Sequence, residues 1–133
     1  MTEDMFERGR AVRGEVLGAS HVARSLANAS EFTKPMQELV TEYCWGAVWS
    51  RPGLGRRERS LVNLGMLTAL NRPHELAIHV GGAIRNSCTP AEIQETLLQA
   101  AIYCGVPAAM EAFRVAEEAI AKVEAELKDA AQA

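Results

Sequence analysis

The sequence lacks the features that mark membrane, secreted and β-sheet proteins. No apolar run approaches the roughly 18 to 20 residues that a membrane-spanning helix needs. The first ten residues contain no apolar segment of the kind found in secretory signals. No stretch alternates apolar and polar residues as a half-buried strand would. We therefore expect a cytoplasmic, all-α protein with no membrane partner.

Cysteine is scarce and carries no recognisable pattern. The chain has three cysteines, Cys44, Cys88 and Cys104, with no CxxC pair and no spacing typical of a zinc site. We expect the three thiols to be buried or half-buried and to pack as small hydrophobic side chains. The pattern favours neither thiol redox chemistry nor a metal site.

Net charge is low, but its sign is unevenly distributed. The net charge is −3, yet the stretch from Arg51 to Arg85 holds six arginines against two glutamates, a balance of +4. The rest of the chain therefore carries −7. Non-specific nucleic-acid binding requires broad neutralisation of phosphates, which an acidic chain with one basic stretch does not offer. A compact site for a small anion is favoured, with no nucleic-acid partner.

Helical periodicity and helix-breaking residues predict six to seven helices in one domain over residues 1–133. The first helix is predicted from Glu3 to Leu17 and a short one from Val22 to Ala29. Thr33 is the expected cap of the third helix. Its predicted buried stripe is Met36, Leu39, Val40, Tyr43, Cys44, Ala47 and Val48.

The second half of the chain gives stronger signals. The helix predicted from Arg56 to Leu70 has hardly any polar face after Ser60, apart from Asn63 and Thr68, which predicts burial all round and help from neighbouring subunits. A further helix should end at Arg85 or Asn86. Thr89 to Glu92 form a capping box that opens the next helix, and Gly105 ends it. The last helix should fray over Ala125 to Ala133.

Three of the arginines could form a carboxylate receptor. Arg51 lies in a Pro- and Gly-rich turn, and Arg56 and Arg59 lie one turn apart at the start of the next helix. The planar guanidinium donates two parallel hydrogen bonds to a carboxylate and keeps its charge. The alternative is that these charges are simply solvated.

His79 is the candidate for moving a proton. Glu75 lies one helical turn before it, and a carboxylate there can fix the tautomer of the imidazole and raise its pKa. The alternative is a histidine with a purely structural role. The order His74-Glu75 to His79 is one residue too long for HExxH, so no metal site is predicted. The adjacent Gly81 and Gly82 indicate either close helix packing or room for a ligand.

Several segments together resemble the carboxymuconolactone decarboxylase family over nearly the whole chain. They are Trp49-Ser50-Arg51-Pro52-Gly53-Leu54, Arg59-Ser60-Leu61, Ala69-Leu70-Asn71-Arg72, Glu75-Leu76 with His79, and Ala101 to Ala109. The resemblance implies an AhpD-like helical fold in a ring-like homo-oligomer, commonly a hexamer built as a trimer of dimers. It also implies loss of CO2 from a small dianionic lactone, without cofactor or metal, in protocatechuate breakdown through the β-ketoadipate pathway.

The resemblance further implies roles for individual residues. The implied substrate-binding residues are Trp49, Arg51, Arg56, Arg59, Arg72 and Arg85. His79 would donate the proton, Arg51 and Arg59 would bind carboxylate and oxyanion, and Glu58 or Glu75 would orient the histidine. Two other readings stay open: a related enzyme acting on another small acid, and a non-catalytic oligomer that binds an anionic metabolite.

The chain also departs from the family pattern. The thiol peroxidase branch has cysteines at the positions of Arg72 and Glu75, which disfavours that activity. Gly81 and Gly82 are smaller than the residues usual there, which suggests a roomier pocket. Ser87 replaces a glycine, and Asn86 is the residue expected to take up the left-handed cap instead.

Overall fold

The structure, a computed structural model that describes residues 3–132, is helical throughout. No β-strand occurs within these residues, which confirms the all-α prediction. The helices are α1 (Glu3–Leu17), α2 (Ala19–Ala27), α3 (Lys34–Leu39) with a continuing π-helical segment (Val40–Trp49), α4 (Arg56–Ala69), α5 (Pro73–Arg85), α6 (Pro90–Cys104) and α7 (Val106–Gln132). Because α7 is helical through Gln132, the predicted fraying is wrong for residues 125–132. Ala133 lies outside the described residues.

The described chain packs as two compact units. We call residues 3–56 the N-terminal unit and residues 57–132 the C-terminal unit. The expectation of a single domain over residues 1–133 stays a prediction. Among residues 3–132, no helix has both the length and the apolar character needed to cross a membrane.

Helix α1 packs closely against the π-helical segment in the N-terminal unit. A Cβ atom on Gly9 would overlap the carbonyl oxygen of Thr41, and one on Gly46 would overlap the carbonyl oxygen of Met5. The absence of side chains at both glycines therefore lets the two helices approach at backbone distance.

The buried face of the π-helical segment differs from the predicted stripe. Thr41, Trp45 and Trp49 are buried at a spacing of four residues, and the two indole rings stack with centroids 4.7 Å apart. The predicted stripe is instead largely exposed, at Met36, Leu39, Tyr43, Cys44 and Val48. Within the segment Val40–Trp49, i→i+5 hydrogen bonding widens the turn and changes which side chains share a face. Met36 and Leu39 precede this segment, in the α-helical α3, and their exposure does not have that cause.

The predicted side-chain cap at Thr33 is also wrong. Thr33 is the residue before α3, but its side chain makes no capping hydrogen bond to the helix. Its Oγ1 instead accepts a hydrogen bond from the backbone N–H of Ser30, at 2.9 Å. The hydroxyl therefore stabilises the preceding turn rather than the first turn of α3.

A buried arginine ties α1 to the third helix. Arg13 is 7% exposed, and its Nη1 donates to Gln37 Oε1 at 3.0 Å and to Thr41 Oγ1 at 3.2 Å. Thr41 Oγ1 in turn donates to the carbonyl oxygen of Gln37 at 2.7 Å. These bonds satisfy polar groups at the point where α3 becomes the π-helical segment.

The core of the C-terminal unit lies where α7 packs against α5 and α6. Its fully buried members are Leu64, Leu76, Val80, Ala83, Cys88, Ile93, Leu97, Ala112, Val115 and Ala116. Within one chain α4 is not covered on all sides, and its burial by neighbouring subunits stays a prediction. Val62 and Met66 on one face of the helix, and Leu70 directly after it, are 50%, 49% and 63% exposed. One chain does not supply enough surface to cover this face.

The capping box of α6 is present as predicted. Thr89 Oγ1 accepts from the backbone N–H of Glu92 at 3.1 Å, and Glu92 Oε1 accepts from the backbone N–H of Thr89 at 2.8 Å. The predicted left-handed cap at Asn86 is wrong. Asn86 has φ −86° and Ser87 has φ 71°, so the serine takes the conformation that suits glycine.

Candidate active site

His79 lies on α5 between the buried residues Leu76 and Val80 and is itself half-buried. Its Nδ1 atom is 3.4 Å from the side-chain Nδ2 of Asn63 on α4. A second polar contact links α4 to the residue after α5: Asn86 Nδ2 donates a hydrogen bond to Ser60 Oγ at 2.9 Å. The imidazole is therefore held by an amide on a neighbouring helix.

Burial decides the charge of this histidine. Desolvation lowers the pKa of His79 from its ordinary value of 6.5 to about 4, because the charged imidazolium loses hydration. The carboxylate of Glu75 raises the pKa, as the sequence suggested, but burial outweighs it. The ring is consequently neutral at pH 7. A neutral imidazole offers one N–H donor and one acceptor nitrogen.

The arginines of the C-terminal unit differ in their surroundings. Arg59 is half-buried, with its Nε atom shielded from solvent. Arg72 is exposed directly before α5. Arg85 pairs with Glu126 at 3.2 Å, and Arg57 pairs with Glu92. Because Arg59 is partly buried, water screens its positive charge less, and the guanidinium attracts an anion more strongly.

Glu58, which was predicted to share the orienting role with Glu75, is exposed on the first turn of α4. Glu75 is also exposed, but it lies one turn before His79 and acts on the pKa of the ring. These observations favour Glu75 as the carboxylate that influences the histidine.

Three predicted substrate-binding residues belong to the N-terminal unit. Trp49 is buried and stacks on Trp45, which closes one face of its ring. Arg51 is exposed in the turn after the π-helical segment. Arg56 pairs with Glu15 at 3.1 Å. Their contribution to substrate binding stays a prediction.

The family model for carboxymuconolactone decarboxylases matches residues 34–118. This match covers more than half of the chain and includes His79, Asn63 and all the predicted site residues. The chain belongs to the carboxymuconolactone decarboxylase family. The resemblance inferred from the sequence motifs is thereby confirmed, and the chain is classed as a carboxy-lyase.

Two relatives in this family have named activities. The chain is 47% identical over 116 residues to the nitrosuccinic acid decarboxylase npaB of Metarhizium robertsii, covering 87% of this chain and 81% of that protein. It is 43% identical over 116 residues to the 4-carboxymuconolactone decarboxylase of Acinetobacter baylyi, covering 87% of each. An uncharacterised 15.0 kDa protein of Paracoccus denitrificans is 32% identical over 90 residues, covering 65% of this chain and 66% of that protein.

The thiols of this family member differ from expectation. Cys88 is buried, but Cys44 and Cys104 are exposed, so the prediction that all three are buried or half-buried is wrong for two of them. All three are free cysteines. Burial raises the pKa of the Cys88 thiol, which disfavours the reactive thiolate at neutral pH. Among residues 3–132, no three His, Cys, Asp or Glu side chains are grouped so as to hold a metal ion.

The structure distinguishes the two interpretations of Gly81, which were close helix packing and room for a ligand. A Cβ atom at Gly81 would lie 3.3 Å from Arg85 Nη1 and 3.9 Å from the side chain of Val123 on α7. The glycine therefore faces a packed neighbouring helix, which supports the close-packing interpretation at this position.

Two shallow grooves lie elsewhere. One, in the N-terminal unit, is lined by Arg10, Ala11, Gly14, Glu15, Ala19, Val22, Ala23 and Leu26. The other, in the C-terminal unit, is lined by Asn71, Pro73, Cys104, Gly105, Pro107, Ala108 and Glu111. Neither groove includes a predicted site residue, so neither supports the proposed chemistry.

Sequence reasoning missed Asn63, the residue that contacts the histidine. A signal was available, because Asn63 and Thr68 are the two polar side chains in the otherwise apolar part of α4 after Ser60. A polar side chain in such a run generally has a hydrogen-bond partner. The identity of that partner was not predictable, since His79 is 16 residues further along the chain.

Proposed function

We propose that this chain is a cofactor-free decarboxylase of small dicarboxylates that contain their own electron acceptor, with 4-carboxymuconolactone as the first candidate substrate. The products would be 3-oxoadipate enol-lactone and CO2. The observation that carries the proposal is His79, a half-buried, neutral imidazole in a chain of the carboxymuconolactone decarboxylase family. Its position on a packed helix suits a group that must be held in one orientation.

The substrates named for the two relatives share a chemical core. In both 4-carboxymuconolactone and nitrosuccinate, one carbon bears a carboxylate, a carboxymethyl group and an electron acceptor. The acceptor is the unsaturated lactone in the first and the nitro group in the second. A decarboxylase for either must hold the carboxymethyl group, which is retained, and let the other carboxylate leave. We infer that this chain recognises such substituted succinates.

The reaction needs no external electron acceptor. The bond between the substituted carbon and the leaving carboxylate breaks, and its electron pair moves into the lactone as a dienolate. Carbon then takes up one proton from solvent water, so the electrons and atoms balance. The protein must stabilise the charge that develops on the acceptor oxygen. It must also hold the spared carboxylate.

Arg59 and His79 are the described residues best suited to these tasks. Arg59 is half-buried, so its guanidinium would bind the spared carboxylate more strongly than a fully solvated arginine would. Neutral His79 would donate a hydrogen bond from its ring N–H to the acceptor oxygen. This role differs from the proton donor expected from the sequence, because imidazolium is scarcely populated at pH 7 when the pKa is about 4. Arg72 would serve as a second anchor.

Nitrosuccinate is the second candidate substrate. Loss of CO2 from its nitro-bearing carbon leaves a nitronate, and the same two residues could bind the retained carboxylate and a nitro oxygen. The 47% identity to a nitrosuccinic acid decarboxylase favours this alternative specifically. The non-catalytic reading is supported by no comparable observation.

The proposed enzyme would act as a ring-like homo-oligomer, a hexamer in the cytoplasm, within protocatechuate breakdown. The exposed apolar surface formed by Val62 and Met66 of α4 and by Leu70 directly after it supports an assembly, because isolated chains rarely leave such a surface uncovered. Sedimentation velocity of the purified chain tests this part separately from activity.

A paired substrate assay tests the proposed function. The purified chain is given 4-carboxymuconolactone or nitrosuccinate in the presence of EDTA, and CO2 release is measured together with the change in ultraviolet absorbance. We expect chelator-resistant turnover with one CO2 per substrate, and the two kcat/KM values identify the preferred acceptor. A folded protein that accelerates neither reaction over the buffer blank would contradict the proposal.

A histidine variant tests the assigned role. We expect His79→Ala to lower kcat about 10²-fold or more, because one hydrogen bond to the developing oxyanion is lost. His74→Ala is the matched control, since His74 is exposed on the same helix and has no assigned role. Near wild-type turnover of His79→Ala would remove His79 from the mechanism.

A further inference from the structure

We infer that Asn63 is a positioning residue that holds His79 in the tautomer with its proton on Nε2. The catalytic consequence rests on the proposed function, but the inferred tautomer does not. Neither the sequence motifs nor the relatives assign a role to Asn63. The inference concerns one contact within the C-terminal unit, between α4 and α5.

The chemistry of the two facing atoms determines the tautomer. The Nδ2 atom of Asn63 lies 3.4 Å from Nδ1 of His79. A side-chain amide nitrogen carries two hydrogens and only donates. This contact is a hydrogen bond when Nδ1 accepts, which requires that Nδ1 carry no proton. In a neutral imidazole, the single ring proton is then on Nε2.

The position of Asn63 in the sequence supports a specific role for its amide. It is half-buried in α4, where Leu61 and Leu67 pack on the core and Leu64 is fully buried. An amide in such surroundings costs free energy unless it is hydrogen-bonded. A leucine would suit the helix better by propensity and packing alone. The contact with His79 provides a reason for asparagine at this position.

The surroundings of the ring favour its neutral form. Burial lowers the pKa of His79 to about 4, and the charge that opposes this effect is Glu75, on the same helix. The neighbouring helix α4 contributes the uncharged amide of Asn63 at this contact. The fixed tautomer is therefore that of a neutral imidazole, which matters because only the neutral ring has two distinguishable tautomers.

The tautomer determines which ring nitrogen can serve the reaction. With Nδ1 occupied by the amide of Asn63, the donor is Nε2–H, and it can hydrogen-bond to an oxygen that gains charge. An aspartate at position 63 would reverse this arrangement. Its carboxylate would accept a proton from Nδ1, leave Nε2 with a lone pair, and raise the pKa of the ring. A lone pair directed at a developing oxyanion would be repulsive.

Nuclear magnetic resonance measures the tautomer without any substrate. Protein labelled with ¹⁵N at histidine is studied by long-range ¹H–¹⁵N correlation at pH 7, and His79 is assigned by comparison with His79→Gln. We expect protonated Nε2 and unprotonated Nδ1 in the wild type. In Asn63→Asp we expect protonated Nδ1 and an upward shift in the pH at which the ring titrates. Asn28→Asp is the matched control, since Asn28 is an exposed residue after α2.

Steady-state kinetics on the preferred substrate then measures the consequence. We expect Asn63→Asp to lower kcat about 10²-fold with KM changed less than about threefold, because the lost interaction forms mainly in the transition state. Asn28→Asp should retain wild-type kcat. A purely structural role for Asn63 would change the melting temperature without reversing the tautomer.

The outcomes separate this inference from the proposed function. Protonated Nδ1 in the wild type would overturn the inference whatever the enzyme acts on, and this result does not depend on whether Asn63→Asp folds. An unchanged tautomer in folded Asn63→Asp would also overturn it. The expected tautomers with no turnover of either substrate would uphold the inference and contradict the proposed function.

Discussion

The helices of the two units pack in different ways: through backbone contacts in the N-terminal unit and through a core of side chains in the C-terminal unit. In the C-terminal unit, the core positions follow ordinary α-helical spacing and the capping box of α6 forms where it is predicted, but one face of α4 is exposed and the left-handed cap is one residue later than predicted. In the N-terminal unit, α1 meets a π-helical segment at backbone distance, and an arginine is buried beside it. The comparison shows that apolar periodicity identifies side chains that can be buried, whereas the surfaces available for packing decide which of them are buried.

The largest expected effect is in the N-terminal unit, at Gly9. A Cβ atom there would overlap the carbonyl oxygen of Thr41, and backbone atoms cannot move aside as a flexible side chain would. We expect Gly9→Ala to lower the free energy of unfolding by about 3 kcal/mol or more, measured by urea denaturation. Alanine at this position without loss of stability would contradict the close packing.

The matched control for Gly9 lies in the C-terminal unit. Gly65 is in α4, and a Cβ atom there would meet nothing within 4 Å. Because glycine within a helix costs up to about 1 kcal/mol relative to alanine, Gly65→Ala should leave stability unchanged or raise it by up to that amount. Opposite signs for the two substitutions would establish that packing, not helix propensity, distinguishes the glycines.

The next largest effect is expected in the C-terminal unit, from the titration of His79. Its pKa is about 4 in the folded chain and 6.5 ordinarily, so protonation favours the unfolded state. Its contribution to stability is present above pH 6.5 and is lost as the pH falls from 6.5 towards 4. We expect up to about 3 kcal/mol to be lost in this window.

Urea denaturation at a series of pH values measures this effect. His79→Gln removes the titrating group, and its unfolding free energy should depend less on pH between 6.5 and 4. Parallel curves for the wild type and the variant would show that His79 is not buried in its neutral form.

The helix boundaries in the C-terminal unit could be predicted because the signals that set them are local. The prolines at positions 73 and 90, the capping box at Thr89 and the glycine at position 105 each act within one turn of helix, and the helix boundaries follow from them. Family membership, and with it the importance of His79, was also predictable from short motifs.

The remaining features depend on tertiary structure. The π-helical segment gives no distinct local pattern, because Val40, Tyr43, Cys44, Ala47 and Val48 match an α-helical stripe equally well. The contact between Asn63 and His79 joins two helices, and the low pKa of His79 results from burial by several segments. A neighbouring carboxylate such as Glu75 is visible in the sequence, whereas desolvation is not. This explains why the expected direction of the pKa shift was reversed.

A smaller difference in stability is expected between substitutions at Thr33 and Thr89, the threonines that precede α3 and α6. Thr89 accepts a hydrogen bond from the first turn of α6, whereas Thr33 makes no such bond to α3. We expect Thr89→Ala to cost about 1 kcal/mol of unfolding free energy and Thr33→Ala to cost clearly less. Equal losses in thermal or urea denaturation would contradict the difference between the two caps.

The smallest expected effect is at the left-handed cap after α5, which was predicted at Asn86 and is found at Ser87. Ser87, not Asn86, has a positive φ of 71°, and a side chain in this region costs about 1 kcal/mol relative to glycine. We expect Ser87→Gly to raise the free energy of unfolding by up to about 1 kcal/mol. Asn86→Gly should lower it, because φ is −86° there and the bond from its Nδ2 to Ser60 Oγ is lost. Stabilisation by glycine at Asn86 rather than at Ser87 would restore the sequence-based assignment of the cap.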